Sequence, residues 1–467
     1  MIAQLNEIID SYRDDIVGDT QKLIAFNSVY EESDKPGQPF GPKIAAALEC
    51  ALDIAADMGF NTRNVDGYMG EIDYGTGGRK IGVITHIDIV PAGDGWTYPP
   101  FAGQVVDGRL YGRGSVDDKG PLVAVIFAMR AIKESGLPLS NHVRCLIGCD
   151  EESGFRCIRH YLTREEQPWG GFSPDGEFPV IFGEKGIYRF KCGEAWEETQ
   201  DKDYFGIVKI EGGTRMNVVP EKAVAVLRGN ARLFELAQRA LEEYNPENRL
   251  SLEREGEKLA IRAQGVSAHA STPWQGVSAN NLLLSFLRRL PLAPVEAERF
   301  IYSLADIFAD GHEGRGLGIA CSDEVFGRLT LSLGVLNADS KGGSASFDLR
   351  YPNLDEREML WRKIEDVCKA RSLELTLLQD KPGLLIPRNS DLIQCLLKAY
   401  RETTGRQEGP ITIGGGTYCR SMKNFVAYGP VFPGQKELAH ECDEYISVND
   451  LILCTKIYAQ ALYSLLK

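Results

Sequence analysis

Histidine is scarce in this chain: six occur among 467 residues, so each candidate imidazole can be weighed singly. Basic charge is short as well. Fifty-two Lys and Arg stand against 66 Asp and Glu, a formal balance of −14, which argues against a nucleic-acid partner because phosphate binding needs clustered cations. Long apolar runs are missing. The longest near the middle, Gly120 to Met129, falls far short of the roughly 20 residues that cross a bilayer, so no membrane partner is expected. The first fifteen residues carry Glu7, Asp10, Asp14 and Asp15 in place of a basic leader, and no secretory signal is expected. The eleven cysteines form an odd set without any C-x-x-C pair, which fits reduced, mostly buried thiols and a cytoplasmic location. No G-x-S-x-G elbow occurs, and no cysteine lies in a nucleophile signature.

What is present is ordinary globular material: 43% hydrophobic and 25% charged residues, enough for sizeable cores. The length exceeds what one core sustains, so two domains are expected. Ile2 to Ala25 has helical spacing. Ile81 to Val90 reads as a buried strand, Pro121 to Glu134 as a helix with proline in its first turn, and His142 to Gly148 as a second strand. This alternation predicts an α/β domain with a central, mostly parallel sheet flanked by helices.

From about Phe190 to Gln379 the pattern becomes an α+β unit, with strands at Phe205–Ile210, Ala223–Leu227, Lys258–Ala263, Arg328–Leu333, Ala345–Arg350 and Glu374–Leu378. Helices fit Ala231–Tyr244, Ser278–Leu290 and Glu356–Ala370. Gly183 with Gly186 on one side and Lys381-Pro382-Gly383 on the other break the chain at its flanks. The reading is therefore a discontinuous domain of residues 1–188 and 381–467, with residues 189–380 inserted. Leu392–Arg401 then reads as a helix and Phe425–Gly429 as a strand, and Ser447 with Asp450 signals a cap before a closing helix. The like phrases at Gly265–Ala268 and Gly276–Ala279 do not recur at any fixed period, so no repeat architecture is expected.

His86 stands at the end of the first buried strand, where α/β sheets place their ligands, and strand geometry sets Asp88 on its face. Asp88 could orient an imidazole ligand, or His86 could be a core histidine satisfied by an acid. Asp117 and Asp118 follow a glycine turn before a helix; they could hold cations or serve as acids at an ordinary helix N-terminus. Asp150-Glu151-Glu152 follows the second strand, and Asp175 and Glu177 lie further on; solvated loops look similar. Converging on one rim, these oxygen donors and an imidazole would suit zinc, manganese or cobalt.

Three phrases in this order, Thr85-His86-Ile87-Asp88 through Gly95-Trp96, Tyr111 through Pro121, and Asp150-Glu151-Glu152-Ser153, resemble the PepV-type dipeptidases, which belong to a metallopeptidase group with aminoacylase, carboxypeptidase G and carnosinase. The resemblance runs over essentially the whole length. It implies two divalent ions, zinc first among them: His86 and Asp175 on one, Glu152 and His440 on the other, and Asp117 on both. It also implies that Asp88 steadies His86 and that Glu151 is the general base. The inserted domain resembles the lid of these enzymes. His269 in Gly265 through Pro273 matches the histidine that polarises the scissile carbonyl, and Asn217, Arg350, Gly414 and Gly415 match substrate-binding positions.

The implied activity is hydrolysis of dipeptides, with Arg350 holding a free carboxylate. An N-acyl amino acid deacylase, a carboxypeptidase or a non-catalytic binding protein on the same fold are the alternatives. The long lid resembles the type that works as a monomer. The stretch His440-Glu441-Cys442-Asp443-Glu444 departs from the family pattern by carrying Asp443 for asparagine, which puts the surroundings of His440 at issue. It also misses H-E-x-x-H, because Glu444 occupies the place of the second histidine. His142, His160 and His312 have no partner pattern and read as packing or surface residues.

Overall fold

Ile81, Val83, Ile84 and Thr85 form a β-branched run suited to a strand covered on both faces. The computed structural model describes residues 2–198, 201–352 and 354–467 and places a strand at Lys80–His86, buried from Ile81 onward. It pairs in parallel with His142–Gly148 on one side and Gly170–Ser173 on the other, and Phe425–Ala427 continues the parallel run. The flanks are antiparallel. The hairpin Asn61–Val65 and Met69–Tyr74 lies beside His142–Gly148, and Ile181–Glu184 lies beside Phe425–Ala427. A tight turn suffices for the hairpin, whereas the parallel pair Lys80–His86 and His142–Gly148 needs a crossover.

Lys119–Ser135 supplies one crossover, with Pro121 in its first turn and Gly136 closing it in the left-handed region (φ 65°). Buried almost all round, it packs against the closing helix Val448–Leu466, whose cap forms as the sequence predicts: the Ser447 hydroxyl accepts from the Asp450 N–H. Ile2–Ser11, Arg13–Ile24 and Asp391–Thr404 pack onto these two helices, and Pro42–Asp57 packs onto the hairpin. No described helix is long and apolar enough to cross a membrane.

Two local expectations are corrected. The opening helix is divided at Tyr12, whose hydroxyl donates to Glu134 and whose ring meets Phe127 at 5.6 Å, anchoring the chain at the break. The first central strand ends at His86, not Val90, because the Ile89 N–H leaves the ladder for the Ser28 carbonyl.

The second unit comprises residues 184–384 and 413–415. Its main sheet runs, in spatial order, Leu250–Glu255, Lys258–Gln264, Lys222–Arg228, Phe205–Gly212, Thr330–Asp339, Gly342–Tyr351, Gly186–Ala195 and Glu374–Lys381, all antiparallel. Helices Ala231–Glu243, Ala279–Leu287, Val295–Ile307 and Arg357–Ala370 enclose a single apolar core with it. The strands Gly186–Ala195 and Leu250–Glu255 and the helix Val295–Ile307 were not read from sequence. The unit begins and ends a few residues outside the expected boundaries at 188/189 and 380/381, because Gly186–Ala195 pairs along its length with Gly342–Tyr351. The two like phrases face each other: Val266 and Val277 exchange backbone hydrogen bonds of 2.8 and 2.9 Å.

The centre of the first sheet has no spare room. A Cβ on Gly171 would stand 1.7 Å from the Gly82 carbonyl oxygen. Gly171→Ala is therefore expected to cost at least about 3 kcal/mol, the upper end of overpacking effects, read as a lowered urea midpoint or loss of soluble protein.

Candidate metal centre

Three adjacent parallel strands end at one rim, and each delivers an acid or an imidazole there. His86 is the last residue of its strand, Glu151 and Glu152 follow His142–Gly148, and Asp175 follows Gly170–Ser173. Asp117 comes from the segment leading into Lys119–Ser135, and His440 from the segment before Tyr445–Ser447. His86 Nε2 lies 2.8 Å from Asp117 Oδ1 and 4.0 Å from Asp175 Oδ2. His440 Nε2 lies 3.1 Å from Asp117 Oδ2 and 3.0 Å from Glu152 Oε1. Two donor groups result, His86 with Asp117 and Asp175, and Asp117 with Glu152 and His440, each with its donor atoms within 4.8 Å of one another. Asp117 offers one oxygen to each group.

Neighbours fix these side chains. His86 Nδ1 donates to the Asp88 backbone oxygen at 2.9 Å, which leaves Nε2 as the lone-pair nitrogen of the neutral ring. The buried Asp88 carboxylate stands 3.6 Å from Nδ1 and accepts the N–H groups of Glu151 (3.1 Å) and Glu152 (3.0 Å). It thus aims the two glutamates as well as flanking the histidine. Asp118 occupies the N-cap position of its helix without capping it, and its carboxylate accepts the His86 N–H at 3.2 Å.

Glu444 is the residue whose role the sequence did not reveal. Fully buried, it accepts from Arg113 Nη1 at 2.5 Å, from the Val116 N–H at 2.9 Å and from the Asp117 N–H at 3.3 Å, clamping the segment that presents Asp117. The near miss to H-E-x-x-H was the available signal: the position that lacks the second imidazole holds the chain beside the ligand instead. Asp443, the departure from the family pattern, points elsewhere. Its two oxygens accept from the N–H and hydroxyl of Thr97, both at 2.7 Å, so its chemistry is that of a loop tie.

The electrostatics expose a shortage of positive charge. Burial pulls His86 down, but hydrogen bonds to Asp117 and Asp88 carry it well above the usual imidazole value, and in the same way His440 is pushed up to about 11 by Asp117 and Glu152. Burial followed by the Asp117 charge pushes Asp175 up to about 7; burial followed by the charge of Asp175 lifts Glu151 well above the carboxylate range. Without cations the cluster holds extra protons on acids and imidazoles alike. Two imidazole nitrogens and three carboxylates of this arrangement fit a pair of divalent ions, which would supply the missing charge.

The remaining sequence candidates lie on the second unit. His269, exposed in the short strand Ala268–His269 opposite Val218–Val219, receives the Ser271 N–H on Nδ1 (3.3 Å), with the Ser271 hydroxyl 2.6 Å away. In the neutral ring the proton therefore sits on Nε2. Asn217 joins the same loop through its carbonyl, which accepts the Ala270 N–H at 2.9 Å. Gly414 and Gly415, expected within residues 381–467 of the first domain, group with the second unit: Arg350 Nη1 donates to the Gly414 carbonyl at 2.7 Å, and a Cβ on Gly414 would stand 2.7 Å from Ser271 Cβ. Arg350 is buried, and its Nε and Nη2 are already forked onto Asp348. A substrate carboxylate could use only the hydrogens left on the two terminal nitrogens.

His142 opens its strand and meets the Gly77 carbonyl at 2.7 Å, while His160 stacks on Tyr68 with 3.8 Å between centroids and pairs with Asp66. Both are structural contacts.

An α/β unit that gathers two overlapping nitrogen and oxygen donor groups at the carboxyl ends of parallel strands has the layout of a dinuclear metallohydrolase. Peptidase family M20/M25/M40 matches residues 82–464, and the chain belongs to that family. A protein of Bacillus subtilis (strain 168) named "Putative dipeptidase YtjP" is 38% identical over 459 residues, spanning 97% of this chain and 98% of its own. The crystal structure of human carnosine dipeptidase 1 has the same fold at a TM-score of 0.59 and 16% identity, covering 99% of this chain and 98% of that one. The dipeptidase Dug1p of Saccharomyces cerevisiae gives a TM-score of 0.60 at 14% identity, with 99% and 98% covered.

Because Asp117 serves both donor groups, Asp117→Ala is expected to remove both ions, whereas His440→Ala weakens one and leaves about one ion per chain, read by elemental analysis after dialysis. On the second unit, burial would raise Asp348, but Arg350 and Arg189 hold it below the usual carboxylate range. Its stabilisation is complete above the ordinary Asp value near pH 4 and is lost as pH falls through the lower folded value. Asp348→Asn should therefore cost roughly 3 kcal/mol at pH 7 and flatten the acid limb of a urea-midpoint profile.

Proposed function

We propose that this chain is a metal-dependent dipeptidase that hydrolyses the amide bond of dipeptides with Glu151 as general base. The observation that carries the proposal is the pair of donor groups joined at Asp117, with Glu151 in neither group but next in the chain to a member of one. Relatives with dipeptidase in their names support the substrate class.

His86, Asp117 and Asp175 would hold one divalent ion, and Asp117, Glu152 and His440 the other, with zinc suited by the mixed donor set and manganese or cobalt also accommodated. When bound, such ions polarise a carbonyl oxygen and make water acidic near neutral pH. Glu151, its backbone held by Asp88, takes the proton from the attacking water and passes it to the leaving amine. Asp88 fixes the tautomer of His86 through its carbonyl and the direction of both glutamates through its carboxylate. His269, carrying its proton on Nε2, is assigned as donor to the scissile carbonyl by the likeness of its segment. Arg350, with Gly414 at its tip, and Asn217 are assigned to substrate binding on the same ground. Action as a monomer in the cytoplasm belongs to the same proposal.

Glu151→Gln is expected to lower kcat on a dipeptide by a factor on the order of 100 to 10,000 with the ion content unchanged. His269→Ala should lower it at least about 100-fold, also without loss of ions. Release of amino acids from unmodified dipeptides, measured beside N-acetylated amino acids and longer peptides, separates the dipeptidase from a deacylase or a carboxypeptidase; turnover of acetylated substrates alone would overturn the assignment.

A further inference from the structure

On the second unit two thiols touch. Cys192 lies on the strand Gly186–Ala195 and Cys368 on the helix Arg357–Ala370, and their sulfurs are 3.4 Å apart. They are 176 residues apart in the chain, so the contact exists only in the folded unit. Both are 1% exposed. Cys368 nonetheless forms part of the wall of a surface groove of about 590 Å³ between its helix and the sheet-edge strand Glu374–Lys381, together with Trp361, Lys369, Leu373, Leu375 and Leu377. Cys192 pairs in register with Leu375 of that edge strand, which places the second thiol directly behind the first.

We propose that Cys192 and Cys368 form a redox modification site that is oxidised to an intrachain disulfide by a small peroxide entering this groove. The sulfur separation of 3.4 Å must close to about 2.05 Å for the bond to form. Cys368 is the attacking sulfur. It is the sulfur that faces the groove.

Its thiolate attacks one peroxide oxygen; an S–O bond forms, the O–O bond breaks, and the departing hydroxide takes up a proton to leave as water. The resulting sulfenic acid is then attacked by the Cys192 sulfur. An S–S bond forms, the S–O bond breaks, and a second water leaves. In sum two thiols are oxidised to one disulfide while one peroxide is reduced to two waters. The new bond ties the strand next to the sheet edge to the helix that covers it.

The test uses the full-length, metal-loaded protein treated with hydrogen peroxide, followed by alkylation, acid proteolysis and mass spectrometry without reduction. The expected result is a cross-linked peptide holding Cys192 and Cys368, the loss of both of these thiols, and an unfolding midpoint raised by roughly 4 °C or more that dithiothreitol reverses. Cys368→Ser should abolish both the cross-link and the shift while the exposed Cys442 is still oxidised. The proposal is overturned if Cys192 and Cys368 stay reduced under conditions that oxidise Cys442, if either ends as a sulfinic or sulfonic acid with its partner free, or if either links to another cysteine. Should the serine variant fail to fold, peptide mapping of the unaltered chain decides by itself.

Discussion

Asp117 touches both His86 and His440, and the arrangement of the first unit depends on that shared carboxylate. A single side chain that must face two imidazoles cannot choose its own direction, so its backbone is held on every side. Glu444 accepts the Val116 and Asp117 N–H groups and is itself fixed by Arg113, and Asp118 turns away to accept from His86. The helix that begins at Lys119 is buried almost all round, which anchors the acidic segment from its other end. Crowding of like charge is the cost of such a cluster, and the raised Asp175, Glu151 and Glu152 express it. Cations resolve that crowding better than protons do, because they leave the oxygens available as ligands.

The second unit has a different organising contact. Asp348 lies between Arg189 and Arg350, and Arg350 reaches on to the Gly414 carbonyl, so three separate stretches of chain are tied through one buried carboxylate. Around it an antiparallel sheet and four helices enclose a core of their own. Each unit is thus a physically complete body with its own buried polar anchor.

Much of the first unit could be read from sequence because hydrophobic runs and short acidic phrases lie side by side there. Ile81 to Val90 marked a strand, which ends at His86, and Glu151, Glu152 and Asp175 follow two more strands that the sheet aligns with it. The resemblance supplied what spacing could not, namely that Asp117 and His440 arrive at the same place from far along the chain. Legibility failed where a side chain's partner lay outside its own phrase. Asp88 was read as the companion of His86, yet its carboxylate holds the backbone of two glutamates some sixty residues on. Glu444 was read only as a missing histidine. Arg350 was read as a carboxylate clamp, although Asp348, two residues away on the same strand face, was the warning that its fork is occupied. The break at Tyr12 left no trace in helical periodicity, since it depends on a ring contact with a helix more than a hundred residues later.

The donor set has a temporal consequence. His86 and His440 stand on opposite sides of the entire second unit in the sequence, and Glu444, which fixes the Asp117 segment, comes later still. During synthesis the early acids and the first imidazole emerge long before the last histidine exists, so the complete cluster cannot form on a partly made chain. The cluster is thereby withheld until the whole second unit and His440 have been made.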